Sequence, residues 1–124
     1  MASKEGRREI SVEAVRLFTR VDKQLDTFYE EIGLISKKKP SEPLNKFKLG
    51  FINQTIDKAN ELLGEEFRPF PDFTLFDVEA SLPTASDVVM MLAHYRTAME
   101  SFKAAHSTYR DWNMPKPEPK ATDE

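Results

Sequence analysis

The chain has 124 residues, a formal net charge of −3, 31% charged and 40% hydrophobic residues, and no cysteine. This length fits one domain, because two compact domains would need roughly 100 or more residues each. The lack of cysteine excludes disulfide frameworks, thiol catalysis and thiolate metal sites. The small negative charge disfavours a dedicated nucleic-acid binder, which would carry a basic surface.

Neither end of the chain resembles a membrane or secretion signal. No stretch approaches the roughly 18 apolar residues that a membrane-spanning helix requires, and Glu13 and Arg16 interrupt the apolar residues near the start. We therefore expect a cytoplasmic protein without a membrane segment. We also predict a flexible N-terminus over residues 1–10, a single helical domain over residues 11–112, and a disordered tail of proline, lysine and glutamate over residues 113–124.

The first periodic segment predicts a helix over residues 11–36. Ser11 suits the N-cap, because its hydroxyl can accept hydrogen bonds from free backbone N–H groups. The three lysines and the proline of residues 37–40 suit the end of the helix, since proline cannot continue it. The apolar residues recur at alternating intervals of four and three, as on one face of a helix: Ala14, Phe18, Val21, Leu25, Phe28, Ile32 and Ile35.

The second segment predicts a helix over residues 43–63, with Ser41 as the N-cap and Gly64 as the C-terminal stop. Gly50 lies inside this helix at a cost of about 1 kcal/mol relative to alanine. We expect the backbone of a neighbouring element to approach it, and the alternative is a kink in the helix. Two stripes form an apolar face wide enough for two neighbours: Leu44, Phe47 and Phe51 in one, and Leu49, Ile52, Ile56, Ala59 and Leu63 in the other.

The third segment predicts a helix over residues 85–112, in which Thr84 is the N-cap and Asp87 follows three residues later. Its stripe repeats at intervals of three and four: Val88, Met91, Tyr95, Ala98, Phe102, Ala105, Tyr109 and Trp112. The short link over residues 37–42 favours antiparallel packing of the first two helices. Together the segments predict an all-α fold, an antiparallel three-helix bundle.

A long connection rich in phenylalanine and proline, residues 65–83, joins the second and third helices. We expect some local order there, with a short helix over residues 72–80. Its four phenylalanines recur every three residues: Phe67, Phe70, Phe73 and Phe76. One interpretation is a lid packed over a groove of the bundle. The other is a docking surface for a partner or a second copy, for which Phe67, Arg68 and Phe70 are the candidate partner-binding residues.

The sequence contains few groups suited to catalysis or metal binding. His94 and His106 are about 18 Å apart along one helix, too far to share a metal ion. We expect His106 to face solvent. No metal, phosphate-loop or nucleophile motif accompanies the histidines, so we predict no catalytic, cofactor-binding or metal-binding residue. Carboxylates repeat every four residues on the first helix, at Asp22, Asp26 and Glu30. We expect lysines of the second helix to neutralise them: Lys46, Lys48 or Lys58.

These observations favour a small, non-enzymatic helical protein of interaction or regulation. Its expected partner is another protein or a second copy of itself, a homodimer joined through a heptad face. The alternative is a small helical enzyme or ligand-binding protein whose site lies under the aromatic connection of residues 65–83. A nucleic-acid adaptor that uses the lysines near residues 37–48 is disfavoured, because only one aromatic residue, Phe47, lies among them.

Overall fold

The structure is a computed structural model, and it describes residues 9–106 of the chain. It contains three α-helices: α1 over Val12–Lys38, α2 over Lys46–Phe67 and α3 over Ala85–Ala105. Each helix contacts the other two, and residues 9–106 contain no β-strand. The predicted all-α fold of three helices is therefore confirmed. The predicted N-terminal segment and tail lie largely or wholly outside the described residues, and the single domain over residues 11–112 stays a prediction.

Helix α1 begins where its sequence predicts. The hydroxyl of Ser11 accepts a 3.0 Å hydrogen bond from the backbone N–H of Ala14, which satisfies one of the free donors of the first turn. At the other end, the N–H of Lys39 donates to the carbonyl of Ile35. Four members of the predicted stripe are buried in the core: Phe18, Val21, Leu25 and Ile32.

Helix α2 begins later than predicted. Its N-cap is Asn45, not Ser41, and the Asn45 side chain accepts from the N–H of Lys48 at 2.9 Å. The preceding residues are held extended, because Leu44 is buried and its N–H donates to the carbonyl of Pro83 at 3.0 Å. Near the other end Gly64, the predicted stop, has a φ of +68°, and one further turn continues to Phe67.

Helix α3 begins as predicted and ends earlier. The Thr84 hydroxyl accepts from the N–H of Asp87 at 3.2 Å. At the far end the backbone of His106 is extended, so the prediction of an unbroken helix over residues 85–112 is wrong at this residue. The His106 ring lies with its Nδ1 at 2.7 Å from the Phe102 carbonyl, the acceptor that another helical turn would need. Tyr109 and Trp112 lie outside the described residues.

Successive contacts show the directions of the three helices. Residue numbers rise along α1 while those of its partners fall, in the contacts Phe18–Phe102, Asp26–Arg96 and Gln24–Thr55. Further along α1, Ile35 lines the same pocket as Leu44, which precedes α2. Along α2 and α3 the numbers rise together, from the backbone bridge Pro43–Thr84 to the ring contact Phe67–Phe102. Helix α1 therefore runs opposite to the other two, whereas α2 and α3 run in the same direction. The predicted antiparallel arrangement is thus wrong for the pair α2 and α3.

The parallel arrangement of α2 and α3 explains the long connection between them. Residues 68–83, here called the strap, must return along the whole bundle before α3 can begin. The strap runs antiparallel to α2, as three side-chain contacts in order show: Asn60 with Thr74, Asn53 with Phe76, and Lys46 with Glu79.

The strap contains turns and bends, and the predicted short helix over residues 72–80 is wrong. Its backbone groups are engaged by side chains instead of by a helical ladder. The carboxylate of Asp77 accepts from the N–H groups of Glu79 and Ala80 at 2.8 and 3.2 Å. These two bonds, the one from Glu79 foremost, hold the pKa of Asp77 below its ordinary value.

Candidate interaction surfaces

The inner side of the strap is aromatic and packs against the helices. The Phe73 ring lies 5.0 Å from the Phe76 ring and 6.2 Å from the ring of Tyr95, which is fully buried on α3. Phe67, just before the strap, meets Phe102 edge-on at 5.5 Å. These three phenylalanines are half-buried against the core, which is the geometry expected of a lid.

Two asparagines of α2 attach the strap to the bundle. The Asn53 amide donates to the Phe76 carbonyl and accepts from the Phe76 N–H, each at 2.9 Å. The Asn60 amide donates to the Thr74 carbonyl at 2.8 Å. Sequence reasoning assigned no role to either asparagine. Their seven-residue spacing, two helical turns, was the signal that places both on one side of α2.

The three predicted partner-binding residues lie together where α2 ends and the strap begins, in different environments. Phe67 packs inward, as described above, while Arg68 is half-buried and donates from Nη2 to the Pro71 carbonyl at 3.0 Å. The Arg68 Nε atom is buried and has no hydrogen-bond partner among the described residues. Phe70 is 37% exposed and lies edge-on to the ring of His94 at 4.9 Å. Partner binding by this group stays a prediction.

Two aromatic rings of α2 are exposed, contrary to expectation. Phe47 is 75% exposed and Phe51 is 48% exposed, and their ring centroids lie 5.0 Å apart in an edge-to-face contact. The sequence placed both on a buried stripe. The other stripe of α2 already fills its core-facing side, with every member at most 3% exposed: Leu49, Ile52, Ile56, Ala59 and Leu63. We call Phe47 and Phe51 the aromatic pair.

The aromatic pair adjoins a groove of about 530 Å³ between α1 and α2. Phe28 and Phe51 supply its apolar lining, and Gln24 and Thr55, joined by a 2.9 Å hydrogen bond, lie in its middle. The charged lining is mostly cationic, with three bases and one acid: Arg20, Lys23, Lys58 and Asp57. Within residues 9–106, no ion pair engages any of the three bases.

Gly50 lies on the same side of α2 as the aromatic pair. The expected neighbour is missing, because a Cβ atom built on Gly50 would meet nothing within 4 Å. Packing within the described chain therefore gives no reason for a glycine between Phe47 and Phe51.

Asp26, in the carboxylate column of α1, pairs with a base of α3 and not with a lysine of α2 as predicted. Arg96 donates from Nε to Asp26 at 2.7 Å, and its guanidinium lies over the Tyr29 ring at 4.4 Å. Burial, and then repulsion from Asp26, raises the pKa of Asp22 above its ordinary value. Lys46, one of the predicted partners, instead pairs with Glu79 of the strap at 3.6 Å.

The histidines show no shared site. His94 is exposed beside Phe70, whereas His106 is half-buried with its ring stacked on Phe102 at 4.0 Å, so the prediction that it faces solvent is wrong. Within residues 9–106, no three side chains of histidine, aspartate or glutamate are grouped closely enough to hold a metal ion. None of the three described helices is long and apolar enough to cross a membrane.

No protein-family model, curated protein or solved structure matches this chain. The function must therefore be inferred from the surfaces described above.

Proposed function

We propose that this protein is a non-enzymatic interaction module, and that the aromatic pair with the adjoining α1–α2 groove docks a protein partner. The observation that carries the proposal is the 75% exposure of the Phe47 side chain on α2, a helix that is otherwise packed into the bundle. Burying such a ring is worth roughly 2 kcal/mol. Adjoining aromatic residues of this kind often supply most of the binding energy at protein interfaces.

The backbone that carries the aromatic pair supports this function. Helix α2 is fixed on its opposite side by fully buried residues such as Leu49 and Ile52. The exposed rings are therefore presented from a rigid element, and a partner would lose little free energy in ordering them. The edge-to-face contact between Phe47 and Phe51 restricts both rings further.

The alternative of an enzyme or ligand site under the strap has less support. The side chains beneath the strap are occupied in holding it, since Asn53 and Asn60 bond to its backbone and Tyr95 bonds to Asn60. The start of the strap remains a second candidate for docking, because Phe70 is partly exposed there.

A photo-crosslinking experiment separates the two docking surfaces. A photoreactive phenylalanine analogue is placed at position 47, at position 70, or at Met90, an exposed apolar control on α3. The full chain is then irradiated in cells of its source organism. We expect a discrete crosslinked protein from position 47, and we expect Phe51→Ser to remove it. Crosslinks confined to position 70 would assign docking to the strap, and crosslinks from none of the three positions would contradict the proposal.

A further inference from the structure

We infer that the α1–α2 groove receives an acidic, amphipathic helix of a partner protein. Its apolar side chains would cover the aromatic pair, and its carboxylates would face Arg20, Lys23 and Lys58. This inference rests on the proposed function and adds the chemistry of the partner.

The groove is polarised along its length. On α2, Phe51 and Lys58 are seven residues apart, which is about 10 Å along the helix axis. On α1, which runs the other way, Arg20 precedes Phe28 by eight residues, about 12 Å. The cations therefore gather at one end and the rings at the other, with Phe47 extending the aromatic end through its contact with Phe51.

The charge of the groove favours a partner with carboxylates. Its three bases face one carboxylate, Asp57, and no ion pair within the described residues engages any of the bases. Exposed ion pairs each contribute only about 0.2–1 kcal/mol. The rings should therefore supply most of the affinity, while the cations select and orient the partner.

The shape of the groove favours a helix over an extended segment. Helices α1 and α2 satisfy their own backbone groups, so the groove offers no sheet edge to which a strand could pair. A helix needs no such edge, and a helix lying between α1 and α2 would complete a four-helix packing. Gly50, beside the pair and free of neighbours within 4 Å, would allow the partner's backbone to approach closely.

A second copy of the chain fits this surface less well. In a two-fold symmetric contact the same patch lies on both sides of the interface. Depending on where the two-fold axis lies, the bases of one groove approach either the same bases of the other, which opposes association, or the rings at its aromatic end. Neither arrangement brings the three bases a carboxylate from the groove lining other than Asp57. We therefore commit to a different protein as the occupant.

Three helix-forming peptides with the same leucines at positions i, i+3 and i+4 test the inference on the full chain. They carry glutamate, glutamine or lysine at positions i+7, i+8 and i+11, matching the separation between the aromatic pair and Lys58. Fluorescence anisotropy measures binding at low and high salt. The protein variants are Phe51→Ser and Lys58→Glu, matched with Met90→Ser and Lys48→Glu, which alter an exposed apolar side chain and an exposed lysine outside the groove lining.

We expect the glutamate peptide to bind about tenfold more tightly than the lysine peptide, and high salt to remove most of that difference. Phe51→Ser should abolish binding, Lys58→Glu should reverse the charge preference, and the two matched variants should bind like the natural protein. If all three peptides bound equally well and Phe51→Ser abolished their binding, the inference of an acidic partner would be overturned. The proposed function would then still stand. No binding, binding indifferent to Phe51→Ser, or dimerisation in sedimentation that Phe51→Ser removes would overturn the inference as a whole.

Discussion

The hydroxyl of Tyr95 donates a 2.5 Å hydrogen bond to Oδ1 of Asn60, across the interface between α3 and α2. The nitrogen of the same amide donates to the Thr74 carbonyl of the strap. One asparagine side chain thus joins both parallel helices to the segment that connects them. The bond also fixes which way round the Asn60 amide lies, because only its oxygen can accept from a hydroxyl.

Tyr95→Phe should therefore destabilise the fold, although the ring itself is kept. It leaves the partly buried Oδ1 of Asn60 without its donor, which costs about 1–2 kcal/mol. Urea unfolding of the natural protein and the variant measures the difference. Tyr29→Phe is the matched control, because Tyr29 contacts Arg96 through its ring face. Equal losses in the two variants would contradict the role given to the Tyr95 hydroxyl.

The same substitution should change how stability depends on alkaline pH. Burial raises the pKa of Tyr95 above its ordinary value, despite the hydrogen bond to Asn60. A raised pKa stabilises the fold below the ordinary tyrosine pKa, and this stability is lost as the pH rises through the folded-state value. We expect the urea midpoint to decrease as the pH rises from the ordinary tyrosine pKa to the folded-state pKa. The decrease should be smaller in Tyr95→Phe. Parallel curves for the two proteins would exclude this linkage.

Asn53→Ala should loosen the strap more than the bundle. The substitution removes both hydrogen bonds to the Phe76 backbone, at about 1 kcal/mol each. Amide hydrogen exchange should become faster in residues 68–83, while protection at core positions such as Leu25 falls only with global stability. Gln54→Ala, at the exposed neighbouring position, is the control. Unchanged exchange at the N–H of Phe76 in Asn53→Ala would contradict the attachment.

The four phenylalanines from Phe67 to Phe76 should differ in their contributions to stability. Phe67, Phe73 and Phe76 are half-buried against the core, so each alanine substitution should cost about 2 kcal/mol. Phe70 is more exposed and should cost less. The sequence analysis named Phe67 with Phe70 as candidate partner-binding residues, whereas the ring contact of Phe67 with Phe102 groups it with the half-buried phenylalanines. Urea midpoints of the four variants decide the order.

Gly50→Ala should stabilise the isolated protein by about 1 kcal/mol, because alanine is the better helix former and its Cβ would meet nothing within 4 Å. Thermal unfolding should show the gain. The same variant should bind the glutamate peptide several-fold more weakly, since the added methyl group would keep the partner helix away. A variant that is more stable and binds equally well would remove close approach as the reason for the glycine.

Asp22→Asn should also stabilise the fold at neutral pH. The raised pKa of Asp22 means that folding favours the protonated form, so the contribution is favourable at acid pH and is lost as the pH rises through the folded-state pKa. Asparagine removes the charge that burial and Asp26 disfavour. The gain should vanish well below the ordinary carboxyl pKa. If Asp22→Asn raised the free energy of unfolding equally at neutral pH and at a pH well below the ordinary carboxyl pKa, the gain would have another cause.

The spacing of apolar residues predicted the parts of the fold that depend on local periodicity. It placed Val21 and Leu25 in the core, and the local capping pattern placed the starts of α1 and α3 at Ser11 and Thr84. It could not show that α2 and α3 are parallel, because that follows from the path of the strap. That path depends on single side-chain bonds, such as that of Asn53 to Phe76, which leave no periodic signal.

The candidate site was missed for a related reason. Phe47 and Phe51 have the spacing of core residues, and a pattern of apolar residues shows which of them share a face but not whether anything covers that face. The structure shows that the neighbours of α2 cover the other stripe, which includes Ile52 and Ile56, and leave the aromatic pair exposed.

The return of the strap along the bundle has a consequence for the rate of folding. Helices α1 and α3 meet through residues far apart in the sequence, and Asp26 and Arg96 are separated by 70 positions. Closing so long a loop costs entropy before any of its contacts can form. We expect the chain to fold more slowly than helical bundles in which each helix packs on its neighbour in sequence. Stopped-flow refolding would show this as a rate nearer to that of mixed α/β domains.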